Sequence, residues 1–310
     1  MNTNQELPTT LLQATEYFAD EQNCFEYVKS LRWPDGIVKC AHCDSTHVKL
    51  FSTKKIWKCY DCKKQFSVRL GTIFTDSSLP LKKWLIGFWL VMNAKNGISS
   101  YELHRSLGVT QKTGWFMGHR IREVMRTGSV VMLSGTVEAD ESFVGGTDAN
   151  RHADKKSHKR GRGAKTPVMG MVERGGSVVA KVIDAQTKKH LRSVLDTHVE
   201  KESVLYTDQF SGYHNLGGNY YRATINHKEG EYVRGDVHTN TIEGYWNLFK
   251  RAYKGTYIHM APFHLDRYLD EQGLRYNLRK GDDGSRFQQV TSEVVGRHLP
   301  YKELIGKATD

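Results

Sequence analysis

Residues 203–208 read Ser203-Val204-Leu205-Tyr206-Thr207-Asp208, and residues 135–140 read Gly135-Thr136-Val137-Glu138-Ala139-Asp140. Each is a short β-prone run that ends on a carboxylate, so each predicts a strand delivering an acid at its C-terminal end. Acids beside turns are common, and neither run decides anything alone. Carboxylates at the ends of adjacent central strands, however, converge on one point. Hard divalent cations such as Mg²⁺ or Mn²⁺ take such oxygen ligands.

The surrounding pattern supplies the neighbours. Val130 to Leu133 adds to the first strand region, and Pro167-Val168-Met169-Gly170-Met171-Val172 and Ser177 to Ile183 flank the hairpin signal Glu173-Arg174-Gly175-Gly176. Lys188 to Glu200 is helical by pattern, with Leu191, Val194, Leu195 and His198 on one side. Tyr220 to Asn226 is a further strand, and helices dominate from about Thr239 to Arg279. Three strands, helix, strand, short helix, strand, helix is the order of an RNase H-like α/β fold, expected over residues 129–282.

The first of the late helices contains His238-Thr239-Asn240-Thr241-Ile242-Glu243-Gly244-Tyr245-Trp246-Asn247-Leu248-Phe249-Lys250-Arg251. At 100° per residue, Ile242, Trp246, Phe249 and Tyr253 form one apolar stripe, and Glu243 and Lys250 lie two turns apart on a polar stripe beside it. A solvated helix face gives the same spacing. Glu138 shares a strand face with Asp140 and is a rival ligand, whereas Glu141 faces the other way. His238 fits a supporting contact, a phosphate contact or a plain loop position.

Upstream, Cys40-x2-Cys43 and Cys59-x2-Cys62 are separated by fifteen residues. The spacing predicts a closed tetrahedral zinc site, structural because four thiolates leave no open position. The intervening segment reads as two short strands, which makes a zinc ribbon. His42 and His47 lie outside a shell that four sulfurs complete, and Cys24 reads as an unremarkable thiol. After the turn cluster Asp76-Ser77-Ser78-Leu79, Pro80 suits the first turn of a helix through Asn93. Ser99 with Glu102 fits a capping box, Gly108 a stop, and Gln111 to Met125 a second helix. This is the helix-turn-helix pattern, with Gln111, Lys112 and Thr113 where base edges are read; an ordinary helical hairpin has the same outline.

The chain has 310 residues, 38% hydrophobic and 25% charged, with a formal charge of +11. It is too apolar for a disordered chain, and such a charge points to a polyanionic partner. Residues 151–165 carry seven Lys or Arg against one Asp. That run reads as a solvated loop or as a phosphate-binding arm through Lys155, Lys156, Lys159, Arg160, Arg162 and Lys165. The longest apolar run, Trp84 to Met92, is nine residues and too short to span a bilayer. Met1 to Asp20 lacks the features of a secretory signal, so a cytoplasmic, nucleoid-associated protein is expected. The expected divisions are a leader (1–20), the ribbon (21–75), a helical DNA-binding region (76–128), the α/β domain (129–282) and a C-terminal tail (283–310).

Asp140, then Asp208, then Glu243 with Lys250 seven residues on resembles the DDE/K signature of transposases. The strings Glu138-Ala139-Asp140-Glu141-Ser142-Phe143-Val144-Gly145-Gly146, Tyr206-Thr207-Asp208 and His238 to Trp246 followed by Lys250-Arg251 are similar to one bacterial group. It is the ISXO-two-like insertion-sequence transposases with an N-terminal zinc ribbon, related to the Merlin elements. Phe66-Ser67-Val68-Arg69, Gly71-Thr72-Ile73-Phe74 and Gly108 to Thr113 resemble the same group.

The resemblance implies that Asp140, Asp208 and Glu243 hold two Mg²⁺ or Mn²⁺ ions for DNA end cleavage and strand transfer. Some members count the position of Asn240 as the third ligand. It further implies that Lys250 contacts a phosphate near the scissile bond, and that the ribbon and helix-turn-helix bind terminal inverted repeats. Arg251 joins the DNA-contacting set, and pairing two ends requires a homodimer or larger assembly. Two other readings keep the same parts: a zinc-ribbon DNA-binding regulator with an inert RNase H-like domain, and an RNase H-like nuclease that cuts without joining.

Overall fold

Thr10 accepts a hydrogen bond from the Gln13 N–H while the Gln13 side chain accepts from the Thr10 N–H, and this capping box opens α1 (Leu11–Tyr17). Asp20 caps α2 (Glu21–Arg32) through the Gln22 N–H. Residues 11–17, expected within a leader, are therefore helical, with Ala14 and Phe18 fully buried. The computed structural model describes residues 6–126, 131–145, 165–213, 218–226, 229–231 and 233–307.

The chain divides into two compact units. Unit 1 comprises residues 1–125 and 280–310, and unit 2 residues 126–279. In unit 1, α2 leads into a three-stranded antiparallel sheet of β1 (Val48–Phe51), β2 (Ile56–Cys59) and β3 (Gln65–Ser67), one strand more than expected. Trp57 on β2 stacks between Phe25 of α2 and Phe66 of β3, at ring separations of 5.4 and 5.7 Å. Three helices follow: α3 (Leu81–Asn93), α4 (Ser100–Leu107) and α5 (Gln111–Met125). The predicted Ser99/Glu102 capping box is present, Leu103 and Leu107 are buried, and Gly108 ends α4 in the left-handed conformation. Gly114 lets α5 lie against α4: a Cβ there would sit 2.8 Å from the Ser100 carbonyl oxygen.

Unit 2 is built on a five-stranded sheet of β4 (Thr136–Val144), β5 (Thr166–Glu173), β6 (Val178–Val182), β7 (Val204–Thr207) and β8 (Tyr221–Thr224). The spatial order is β6-β5-β4-β7-β8, with β6, β5 and β4 antiparallel and β4, β7 and β8 parallel. Both faces are covered. Val137, Ala139, Met169, Met171 and Leu205 pack with Leu191 and Leu195 of α6 (Lys188–His198). Val168, Val172, Val178 and Ala180 pack with Ile242, Trp246 and Phe249 of α7 (Asn240–Arg251) and with Leu265 and Leu269 of α8 (Leu265–Asn277).

Gly170, paired with Asp140 across the sheet, is where α7 comes closest. A Cβ there would fall 2.6 Å from the Trp246 ring. The chain then returns to unit 1 through α9 (Asp283–Thr291) and α10 (Tyr301–Leu304). Residues 283–310 read as a tail in sequence, yet Phe287 is buried among Phe18, Tyr27 and Trp89. Buried Arg120 of α5 donates to the carbonyls of Ile73, Thr75 and Leu299, joining three distant segments of the unit. Among the described residues, no helix is long and apolar enough to cross a membrane.

Candidate active site and metal centre

The four expected cysteines come together in the ribbon. All four sulfurs lie within 4.8 Å of one another, with Cys40–Cys62 at 3.6 Å and Cys43–Cys59 at 3.7 Å. A tetrahedron of Zn–S bonds of about 2.3 Å has edges of about 3.8 Å, so the set fits zinc, whereas a disulfide needs about 2.05 Å. Each knuckle is made by a backbone reversal with a non-glycine residue at positive φ, Asp44 at 57° in the first and Lys63 at 63° in the second. The Asp44 N–H donates to the Cys40 carbonyl and the Cys59 N–H to the Lys64 carbonyl. His47 pairs with Asp61 at 3.0 Å and His42 with the Gln65 carbonyl at 3.3 Å, so neither imidazole is used at the sulfurs. Burial pushes the Cys24 thiol up to about 11, and its sulfur donates to the Phe18 carbonyl.

The acids sit at another place, in unit 2. Asp140 lies on the central strand β4, and Asp208 immediately follows the adjacent parallel strand β7. Asp208 Oδ1 accepts from the Phe210 N–H at 2.9 Å. The loop is held by Arg222 of β8, which donates to the Asp208 carbonyl at 3.0 Å and to Thr207 Oγ1 at 3.0 Å. Glu243 is exposed in the first turn of α7 and accepts from the Thr239 hydroxyl at 3.3 Å.

Burial, and then the charge of Asp208, push the Asp140 carboxyl up to about 6. Glu243 adds to the rise; the Glu141 backbone and the nearby Trp246 indole oppose it. Asp140 thus feels both other carboxylates, but among the described residues only the cysteines gather to within 4.8 Å. A pair of ions about 3.5–4 Å apart takes ligands spread wider than one ion does. The donor set, hard oxygens with mutual repulsion to relieve, fits Mg²⁺ or Mn²⁺.

Asn240 is exposed at the first position of α7, three residues before Glu243. Lys250 and Arg251 are exposed at its other end. At 1.5 Å per residue, Lys250 stands roughly 10 Å along the axis from Glu243. The apolar stripe is as expected, with Ile242, Trp246 and Phe249 buried; Tyr245 is buried as well.

In unit 1, Gln111 donates to the Ser100 hydroxyl, Lys112 is exposed with its amine 5.0 Å from the Tyr301 ring centroid, and the Thr113 N–H is capped by Thr110. Lys165 precedes β5. Lys155, Lys156, Lys159, Arg160 and Arg162 lie outside the described residues.

Two neighbours of Asp140 have clear occupations. Glu141 points to the α6 side, as alternation requires, and accepts from the Tyr213 hydroxyl and from Gln186 at 2.8 Å. Burial raises its carboxyl to about 7 against those two bonds. Glu138, the rival ligand, is fully buried and spends both oxygens on protein donors. Serving a metal would cost it those bonds. Sequence reading missed what it does instead and missed Arg174 altogether. Alternation did place Glu138 beside Asp140; nothing marks a turn arginine as part of a site.

Comparison with known proteins adds the lineage. Residues 132–277 match the ISXO2-like transposase domain, and residues 19–65 match the transposase zinc-ribbon domain. A protein from Halobacterium salinarum, described as an uncharacterized protein in transposable element ISH50, is 28% identical over 251 residues. That alignment covers 76% of this chain and 83% of the relative. A crystal structure of a pre-cleavage Mos1 transpososome is similar at 10% identity over 69% of this chain and 79% of that one. Its TM-score of 0.29 is too low to carry an argument. With ribbon and catalytic-domain models matched in that order, the chain belongs to the ISXO2-like insertion-sequence transposases that carry an N-terminal zinc ribbon.

Proposed function

We propose that the chain cuts and joins DNA at the ends of its own insertion sequence, with Asp140, Asp208 and Glu243 as the metal-holding acids. The observation that supports this most is the position of Asp140. It lies on a central strand beside the parallel strand that delivers Asp208, under α7, and the charges of both other acids act on it. In this reading unit 2 is an RNase H-like domain, numbered 3-2-1-4-5 across its sheet by order along the chain. In unit 1, the pair α4–α5 with the Gly108 turn is the helix-turn-helix.

Two divalent ions would supply Lewis acidity at the attacking and leaving oxygens of an in-line displacement at phosphorus. The residues do the rest. Asp140 and Asp208, held on strands, fix one side of the reacting phosphate. Glu243 closes the other side from a helix whose N-terminal dipole favours its charge. Lys250 neutralises a phosphate two turns along, and Arg251 a flanking one. The ribbon and the Gln111–Thr113 end of α5 bind the terminal inverted repeats, with Lys165 and the basic run before it on flanking or target DNA. Two ends held together require at least two copies of the chain.

The test is a cleavage-and-joining assay on labelled DNA carrying the element's own ends, with Mg²⁺ or Mn²⁺. Wild type is expected to nick and join; Asp140→Asn and Glu243→Gln are expected to bind the ends without cutting. If Glu243→Gln still cuts, Asn240 holds the third position. If wild type binds and never cuts with either metal, the chain is a DNA-binding regulator. If it cuts and never joins, it is a nuclease.

A further inference from the structure

Arg174 sits in the hairpin turn between β5 and β6, and every nitrogen of its guanidinium is engaged. Nε donates to Glu138 Oε1 at 2.7 Å, and Nη1 donates to the Asp236 carbonyl at 2.7 Å. Nη2 donates to the His238 carbonyl at 3.0 Å and to His238 Nδ1 at 2.8 Å. The guanidinium also lies over the Tyr206 ring, 4.7 Å from its centroid.

Glu138 is equally committed. Oε1 takes a second bond from the Thr241 hydroxyl at 2.9 Å, and Oε2 accepts from the backbone N–H groups of Thr241 at 2.8 Å and Ile242 at 3.1 Å. Thr239, the N-cap residue of α7, makes no side-chain cap bond, so a carboxylate from β4 caps this helix in its place. His238 Nδ1 also faces the Asn240 N–H at 3.4 Å. Two donors, the Arg174 guanidinium and the Asn240 N–H, converge on that nitrogen. The same nitrogen lies 3.3 Å from Glu138 Oε1, so Arg174 bridges the two side chains.

The contacts of this pair fall at equivalent places in all three acid-bearing elements. Glu138 stands two residues before Asp140 on β4, and Tyr206 two residues before Asp208 at the end of β7. Glu138 and Tyr206 are register partners across the parallel ladder. Thr241 and Ile242 immediately precede Glu243, and His238 stands five residues before it. Residues two apart on a strand share a face, one step of about 6.6 Å along it.

We infer that Arg174 and Glu138 are positioning residues which hold β4, β7 and the start of α7 at the separation where Asp140, Asp208 and Glu243 share their ions. The inference rests on the reading of those three acids given above. It concerns geometry, not the chemical step: both side chains are consumed by protein contacts. Partners of this kind behind metal ligands typically change metal affinity or activity by about 10–100-fold.

The experiment uses the full zinc-loaded chain. Arg174→Lys keeps the charge and loses the fork; Glu138→Gln keeps the shape and loses the charge. The double variant Arg174→Met/Glu138→Met removes both charges, so no buried ion is stranded and the remaining loss is that of hydrogen bonds. Mn²⁺ affinity is read by calorimetry without DNA, cleavage on the element-end DNA, and stability by thermal unfolding. All three proteins are expected to bind end DNA as wild type does. Each is expected to bind Mn²⁺ at least 10-fold more weakly and to cleave at least 10-fold more slowly, with part of the rate regained at high Mn²⁺. The double variant is expected to unfold cooperatively only a few degrees below wild type, since it loses the cap of α7 and strands no charge, which separates positioning from folding.

A stable double variant with wild-type Mn²⁺ affinity and cleavage overturns the inference. Asp140→Asn, run beside these, keeps the two levels apart. If Asp140→Asn still cleaves, the assignment of the acids fails; if it is inactive while the Arg174 and Glu138 variants behave as wild type, only the positioning role fails.

Discussion

The cysteine cluster of this chain and its proposed set of acids are assembled in opposite ways. The four cysteines span residues 40–62, and their sulfurs already stand 3.6 Å apart in the pair Cys40–Cys62 and 3.7 Å apart in the pair Cys43–Cys59. The three acids span residues 140–243 on three elements and stay outside that closeness. A local set is organised by its own turns. A dispersed set is organised by whatever fixes its elements against one another. The first kind is a fold built around its ion, and the second a site left under repulsion on a fold that other contacts hold.

The largest effect should therefore come from breaking the local set. Binding of a structural zinc is worth on the order of 10 kcal/mol and is coupled to folding. Cys59→Ser is expected to lose the zinc and the ordered environment of Trp57, buried on the same strand. Zinc content by mass spectrometry and near-ultraviolet circular dichroism check this. Retention of zinc with a native Trp57 signal would break the comparison at its root.

Next in size is a contact that makes unit 1 less local than its ribbon. Phe287 comes from the C-terminal segment and packs on Phe18, Tyr27 and Trp89. Deleting a buried phenyl ring costs about 3–5 kcal/mol. Phe287→Ala should lower the melting temperature of unit 1 by roughly 10 °C, with the zinc stoichiometry unchanged at low temperature. A shift of only a degree or two would mean that the C-terminal segment is an accessory.

The acid set should respond with the opposite sign. The Asp140 carboxyl is raised from 3.8 to about 6, so the folded chain holds its proton more tightly than the unfolded chain does. The stability this represents is complete below about pH 4 and is lost as pH rises through 6. Without added divalent ions, Asp140→Asn should exceed wild type by less than about 1 kcal/mol near pH 4 and by about 3 kcal/mol at pH 8. Added Mn²⁺ should recover stability in wild type and not in the variant. Unfolding curves across that range, with and without Mn²⁺, decide it. An Asp140→Asn protein less stable than wild type at pH 8 would show that the acids hold the fold.

What could be read in advance follows the distance between partners along the chain. The cysteine spacing, the helix boundaries at Pro80, Ser99 and Gly108, and the alternation that sends Glu141 away from Asp140 all depend on neighbours a few residues apart. The role of Glu138 depends on Thr241 and Ile242, more than a hundred residues on, and that of Arg174 on Tyr206 and His238. An acid read alone looks like a ligand whether it faces a metal or a helix N-terminus, because the two environments ask for the same charge. Phe287 was illegible for the same reason: a nine-residue helix near the end of a chain shows no preference among the surfaces it could cover.

Legibility is nonetheless separate from energy, and the smallest expected effect shows it. The capping box at α4 is written in two residues, Ser99 and Glu102, and is formed with bonds of 3.2 and 2.8 Å. Removing such a cap costs about 1 kcal/mol. Ser99→Ala should lower the melting temperature by about 2–4 °C and leave zinc and Mn²⁺ binding unchanged. Glu102→Ala should do nearly the same, and the double variant little more, since the two bonds serve one helix end and are not independent. If the cap instead matters as much as Phe287, α4 is held mainly by its own N-terminus. The close seating of α5 at Gly114, where a Cβ would stand only 2.8 Å from the Ser100 carbonyl oxygen, would then be a consequence of that helix and not a support for it.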